Sequence, residues 1–151
     1  MTQQTDLIGY CGLYCGDCAG YTQTVANLAR DLRAELRYYR FGRMAPALAK
    51  VPIFKKFKDY DKCYNLLGTM VKMRCNKTCR GNGGPPGCRA RQCCRKKNIK
   101  GCWECGDFAA CEKLKFLEQH HGKAHLKNLR KIKKQGPKAF VIGKRYWYAA
   151  R

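Results

Sequence analysis

From residue 22 onward the apolar positions recur at helical spacing. In TQTVANLARDLRAELRYYRF (22–41), Val25, Leu28, Leu32, Leu36 and Tyr39 fall three and four residues apart. This spacing predicts an amphipathic helix that buries those five side chains, with Gly42 just past its end. Pro46 and Pro52 bracket a connecting loop, and a second helical pattern at 53–73 sets Phe54, Phe57, Tyr64, Leu67, Met70 and Val71 toward a core. Residues 112–121 continue as a helix with Leu114 and Leu117 inward, closed by Gly122. The segment AHLKNLRKIKKQ (124–135) repeats the pattern with Leu126, Leu129 and Ile132 buried, and Gly136-Pro137 stops it.

Between these patterns lies a stretch that obeys no period. Residues 75–111, CNKTCRGNGGPPGCRARQCCRKKNIKGCWECGDFAAC, hold eight of the twelve cysteines. Three of the six residues 82–87 are Gly and two are Pro, which make turns and leave little to pack. A segment so poor in Leu, Ile and Val does not offset its own chain entropy by burial, so a crosslink is expected. The opening MTQQTDLIGY lacks a basic and apolar leader pattern, and no apolar run reaches membrane-spanning length. A cytoplasmic, reduced location is therefore expected, where clustered cysteines indicate metal more often than disulfide. The expected fold is mainly α: a small, irregular, metal-stapled cysteine-rich centre packed with amphipathic helices. It reads as one domain over 1–151 with a basic helical and aromatic extension over 122–151.

The spacings are Cys11-x3-Cys15-x2-Cys18, Cys75-x3-Cys79, Cys88-x4-Cys93 and Cys102-x2-Cys105, with Cys111 following. Cys102-x2-Cys105 is the most specific, because two thiolates on a tight knuckle fit two corners of a tetrahedron. The first trio has radical-SAM spacing, but Asp17 stands where an aromatic residue commonly precedes the third cysteine, and no alternation of strands and helices follows. Zinc, in two or more ions, is the first expectation; an iron–sulfur cluster uses the same ligands and is the alternative. Cys63 sits alone inside a helical pattern and is expected to be a small buried hydrophobe.

Three segments, IGYCGLYCGDCAGY, GCRARQCCRKKNIKGCWECGDFAACEKL and HLKNLRKIKKQGPKAFV, together resemble a prokaryotic cysteine-rich family catalogued only as a domain of unknown function. Its members open with CGLxCxxC and end with C-x2-C, a cysteine before Lys-Leu, and an Asn-Leu-x-x-Ile helix. The resemblance implies metal binding and a ligand pool of Cys11, Cys15, Cys18, Cys75, Cys79, Cys88, Cys93, Cys102, Cys105 and Cys111; Cys63 and Cys94 fall outside it. Two spacings, Cys75 to Cys79 and Cys105 to Cys111, are each one residue longer than the family's usual ones. Ten thiolates do not divide into fours: two centres leave two over, and three need all twelve cysteines or two of His120, His121 and His125. Closure of the first trio by a later cysteine is expected. His120 and His121 also suit the end of a helix, where they complement its dipole.

Charge then sets the partner. Thirty-two basic residues against ten acidic ones give a net +22, which attracts polyanions, RNA or a ribonucleoprotein such as the ribosome first among them. A membrane surface fits less well, because no strongly apolar helix face is expected to accompany the charge. Arg30, Arg33, Arg37 and Arg40 share one side of the first helix, a ridge that can track phosphates. Lys127, Arg130, Lys131 and Lys134 do the same on the last helix, and Lys144, Arg145 and Trp147 add an aromatic, basic tail suited to base stacking. Gly81 to Gly87 lacks the Lys-Ser/Thr ending of a phosphate loop. Acidic residues near the cysteines are sparse, so catalysis is not expected.

Overall fold

The computed structural model describes residues 4–148, which are mainly helical and include no β-strand. The chain forms two compact units: Thr22–Arg74, and residues 4–21 together with 75–148. The sequence reads as one domain with an extension.

The unit Thr22–Arg74 contains helices α1 (Thr24–Tyr38), α2 (Phe41–Leu48) and α3 (Tyr60–Val71), with a 3-10 segment Pro52–Asp59 before α3. α1 packs chiefly on α3, but not through the stripe that its periodicity predicts. Val25, Leu28, Leu32 and Tyr39 are 38, 65, 49 and 59 % exposed, while Ala26 and Ala29 are buried. The packed face is turned about 100° from the leucines, one residue's rotation. Alanines let the two backbones approach closely, and the Arg33 guanidinium lies over the Tyr64 ring, 4.4 Å from its centroid, against Gly68. A Cβ at position 68 would sit 2.9 Å from Arg33 Nη1. Phe54, expected in a core, is 44 % exposed, and Cys63 is exposed too rather than buried. Pro46 lies inside α2 instead of in a loop. Both Pro46 and Gly42, whose carbonyl loses its helical donor there, are exposed, so water can take the carbonyl. At the ends of the unit, Arg74 Nη1 donates to Gln23 Oε1 at 2.7 Å.

The other unit holds the main core. α4 (Arg89–Lys96) and α5 (Ala124–Ile142) are its longer helices. Leu126, Leu129, Ile132, Phe140 and Val141 of α5 pack with Ile8, Leu13, Tyr14, Trp103, Phe108, Leu114 and Leu117. The stretch 122–148, an extension in the sequence reading, thus supplies much of the interior. Gly136 (φ 82°, ψ 161°) breaks the helix as expected, but the chain resumes helical geometry from Pro137 to Ile142. The CGLYC segment turns over with Gly9 N donating to Leu13 O at 2.7 Å and Gly12 N to Gly9 O at 2.9 Å. Gly12 has φ +84°, and a Cβ there would meet Leu129 Cδ2 at 2.9 Å. Glycine is therefore required twice over, for the turn and for close approach to α5.

The glycine-proline loop after Cys79 is organised by a buried cation. Arg91 of α4 is 7 % exposed. Its guanidinium donates to the carbonyls of Cys79 (3.3 Å), Gly83 (2.5 Å) and Pro85 (3.1 Å). A loop with almost no side chain to bury thus satisfies its backbone acceptors on one fork-shaped donor.

Candidate functional site

All ten cysteines of the expected ligand pool, and Cys94, belong to the unit built around α5. They form two neighbourhoods. In the first, Cys15 faces Cys79, Cys18 and Cys75, and burial pushes its thiol above the ordinary value, with those three cysteines adding to the rise. Cys79 N donates to Cys15 Sγ at 3.4 Å, and Gly84 N donates to Cys75 Sγ at 3.3 Å. Cys75 Sγ also lies 3.0 Å from the Lys77 carbonyl. Cys75 N donates in turn to Gly20 O at 2.9 Å, which brings the later pair of cysteines back to the N-terminal trio. Cys11 lies deeper. Burial pushes its thiol up to about 12, and Cys79 and Cys88 are neighbours that add to the rise.

In the second neighbourhood, Cys93, Cys94, Cys102, Cys105 and Cys111 line a cavity of about 160 Å³ with Lys97, Lys113 and Asp107. Cys94 Sγ and Cys102 Sγ are 3.5 Å apart. The hydrogen bond to Cys94, with burial, holds the proton on Cys102, whereas the same bond moves the Cys94 thiol down. Lys113 Nζ donates to Cys93 Sγ at 3.2 Å and Lys97 Nζ to Cys105 Sγ at 3.7 Å. The hydrogen bond to Cys93 raises the Lys113 ammonium above its ordinary value. The donor set fits zinc or an iron–sulfur cluster in chemistry: soft sulfur ligands, amide and ammonium donors around them, and partial burial. Among the described residues no three His, Cys, Asp or Glu side chains converge into a closed coordination shell.

The sequence pattern does not reveal Cys94, Lys97 or Lys113. Cys94 stands next to Cys93 and looks redundant; on α4 the two side chains diverge by about 100°, and the first is half-buried while the second is in the core. His121 Nδ1 lies 2.7 Å from the Trp147 carbonyl. His125 is 1 % exposed in the core.

A second feature is a basic groove of about 370 Å³ along α5, lined by Lys127, Arg130, Lys131, Lys134, Gln135 and Tyr146. All four basic residues expected on this helix meet there. Lys127 Nζ and Lys144 Nζ lie 5.4 and 5.5 Å from the centre of the Tyr146 ring. Buried Asn128 fixes that ring's backbone: its Nδ2 donates to Tyr146 O at 2.7 Å, and Tyr146 N donates to Asn128 Oδ1 at 2.9 Å. Most of the other expected contacts are spoken for, and within the groove Lys131 Nζ donates to the Lys144 carbonyl at 2.5 Å. Arg145 makes a two-point bond to Asp17, lies 4.4 Å from the Tyr14 ring centroid and donates to the Val141 carbonyl. Trp147 packs against the core with its ring edge-on to His121. In the other unit Arg30 pairs with Asp31 at 2.8 Å, Arg33 is stacked on Tyr64, and Arg37 Nη1 donates to Tyr64 Oη at 3.1 Å. Arg40 is exposed, at φ 55°. No helix of the described residues is long and apolar enough to cross a membrane.

A family model described as "Protein of unknown function (DUF3795)" matches residues 7–116. No curated protein and no solved structure matches.

Proposed function

We propose that this chain, which belongs to the DUF3795 family of unknown function, is a non-catalytic zinc-binding protein that associates with RNA or a ribonucleoprotein such as the ribosome. The observation that carries the RNA half of this reading is the groove on α5, where four cations and one fixed tyrosine share a single surface. Cations along one groove neutralise successive phosphates, and a ring between ammonium groups accepts a stacked base without demanding a sequence. The net charge of +22 supports the same partner by long-range attraction. The zinc half rests on the two thiol neighbourhoods and on the amide and lysine donors that contact their sulfurs. Two or more ions would use Cys15, Cys18, Cys75 and Cys79 in the first and Cys93, Cys102, Cys105 and Cys111 in the second. A cytoplasmic location keeps those thiols reduced.

The RNA test is fluorescence anisotropy with a single-stranded oligonucleotide over a range of salt. The logarithm of affinity should fall by about 0.7 per phosphate contacted for each tenfold rise in salt. Lys127→Glu, Lys131→Glu and Lys134→Glu together should abolish binding; salt-insensitive or unchanged binding overturns this half. Elemental analysis of anaerobically purified protein tests the metal. Stoichiometric zinc supports the reading, visible absorption with iron and sulfide replaces it by a cluster protein, and a fully folded, metal-free protein removes it.

A further inference from the structure

A further cavity belongs to none of these features. It measures about 590 Å³ and opens beside the kink of α5. Its apolar floor is lined by Ile8, Trp103 and Pro137, the first two almost wholly buried, and the cations of Arg80, Lys100 and Lys138 line it too. The kink creates the space: Gly136 leaves the helical region and Pro137 has no N–H with which to close the next helical bond. A Cβ at position 136 would meet nothing within 4 Å.

Arg80 is fixed before any ligand arrives. Its Nη2 donates to the Lys100 carbonyl at 2.9 Å, and its guanidinium lies 4.9 Å from the Tyr10 ring centroid and 5.7 Å from that of Trp103. Its own carbonyl accepts from Arg95 Nη2 at 3.1 Å. The other polar side chains of the wall are unspent. Thr5, Asp6, Gln135, Lys100 and Lys138 have no side-chain hydrogen bond or ion pair among the described residues.

Three cations, a carboxylate and an apolar part of the lining narrow the ligand. A bare oxyanion has no use for Asp6 or for the floor. A nucleotide uses all three: its phosphate meets the cations, its base lies on the floor, and its ring N–H donors meet Asp6. Guanine, with two adjacent N–H donors on one edge, satisfies a carboxylate best. We propose that this cavity binds a nucleotide, guanosine monophosphate foremost, either free or as one residue of an RNA strand. Gln135 lines both the cavity and the basic groove, so the two adjoin at that residue and a strand lying in the groove passes beside the cavity. That second source rests on the RNA reading above; the first does not.

The test is calorimetric titration of the full chain with guanosine monophosphate, with guanosine and inorganic phosphate as comparators. Saturable binding is expected for the nucleotide, and weaker binding for either half alone. Lys100→Glu and Lys138→Glu, both exposed and unpartnered, should each weaken it by about tenfold, the loss of one charge-assisted hydrogen bond. Asp6→Asn should remove the preference for guanosine over uridine monophosphate. Lys131→Glu with Lys134→Glu in the groove should change nucleotide affinity by no more than about twofold. Displacement of the nucleotide by a short guanosine-containing RNA assigns the site to RNA; retention in its presence assigns it to the free ligand, and both results support the site. Absence of saturable binding at millimolar nucleotide, or binding indifferent to Lys100→Glu and Lys138→Glu, overturns it. Nucleotide binding in a chain that ignores RNA leaves this inference standing while the groove reading fails.

Discussion

Arg145 and Asp17, 128 residues apart in the chain, meet in a two-point ion pair with both N···O distances 3.0 Å. The pair joins the segment after α5 to the loop that holds Cys15 and Cys18. It also withdraws a cation that the tail's composition offers to a polyanion. The carboxylate's hydrogen bond holds the Arg145 guanidinium above even its usual range.

Breaking this pair should therefore cost stability and little RNA affinity. Both side chains are about a quarter exposed, so solvent screening keeps the cost of Arg145→Ala or Asp17→Asn on the order of 1–2 kcal/mol. Urea unfolding of the two single variants and the double variant should show non-additive losses. In RNA titrations, Arg145→Ala should lose less affinity than Lys131→Glu. Equal losses would return Arg145 to the binding surface.

Asn128 should behave as a structural residue on which a functional one depends. It is fully buried, and its amide makes both backbone bonds of Tyr146. Asn128→Leu leaves a part-buried N–H and carbonyl without partners, for about 1–3 kcal/mol of stability. Anisotropy should show weaker RNA binding even though every groove cation remains. Tyr146→Ala should lose RNA affinity with a smaller stability change, which separates the two roles.

The two units should differ in how readily they open. Thr22–Arg74 fully buries only Ala26, Ala29 and Ala45 among its hydrophobic residues, whereas α5 alone buries eight residues. Local opening follows buried apolar contact. Hydrogen exchange followed by mass spectrometry should find amides of α1 and α3 exchanging well before those of residues 124–135. Uniform protection across the chain would contradict this.

Acid should weaken the α5 core through His125. Burial lowers its imidazole below the ordinary value of 6.5, against the pull of Glu118 and with help from His121. The unfolded chain then binds a proton at a higher pH than the folded one. The contribution of the neutral ring is present above the unfolded value and is lost as pH falls through it toward the folded one. Thermal melts between about pH 7.5 and pH 5.5 should lose more for the wild type than for His125→Phe, which carries no proton there. Thiolate protonation affects both proteins alike, so the difference isolates the histidine.

Much of the architecture was legible because local periodicity carries it. Leu114, Leu117, Leu126, Leu129 and Ile132 are buried as their spacing predicts, and Gly122 and Gly136 interrupt their helices. The pattern fails on α1 for a definite reason. Hydrophobic spacing marks Val25, Leu28 and Leu32, but packing on α3 uses the face with alanines and the Arg33 stem, where the axes can approach. The cysteine-rich stretch fails differently. Its want of leucine is real, yet Ala90, Cys94, Cys102, Trp103 and Phe108 of that stretch join a core completed by α5. Such long-range completion leaves no trace in the local window. Arg91 and Asn128 were illegible for the same reason: a polar residue on a helix reads as surface until its distant carbonyls are seen. The family match accords with the resemblance carried by the CGLYC and C-x2-C motifs, and it adds no activity.

The bond between Cys75 N and Gly20 O shows that the polypeptide returns to the point from which it left after an excursion of some fifty residues. Thr22–Arg74 is in that sense a cassette. Its removal would delete no cysteine of the ligand pool and no wall of the groove or of the kink cavity. Replacing it with a short turn of glycine and serine would shorten a closed loop, at a saving of about 1–2 kcal/mol in chain entropy. The rest of the chain keeps every cysteine of the ligand pool whatever the length of that excursion.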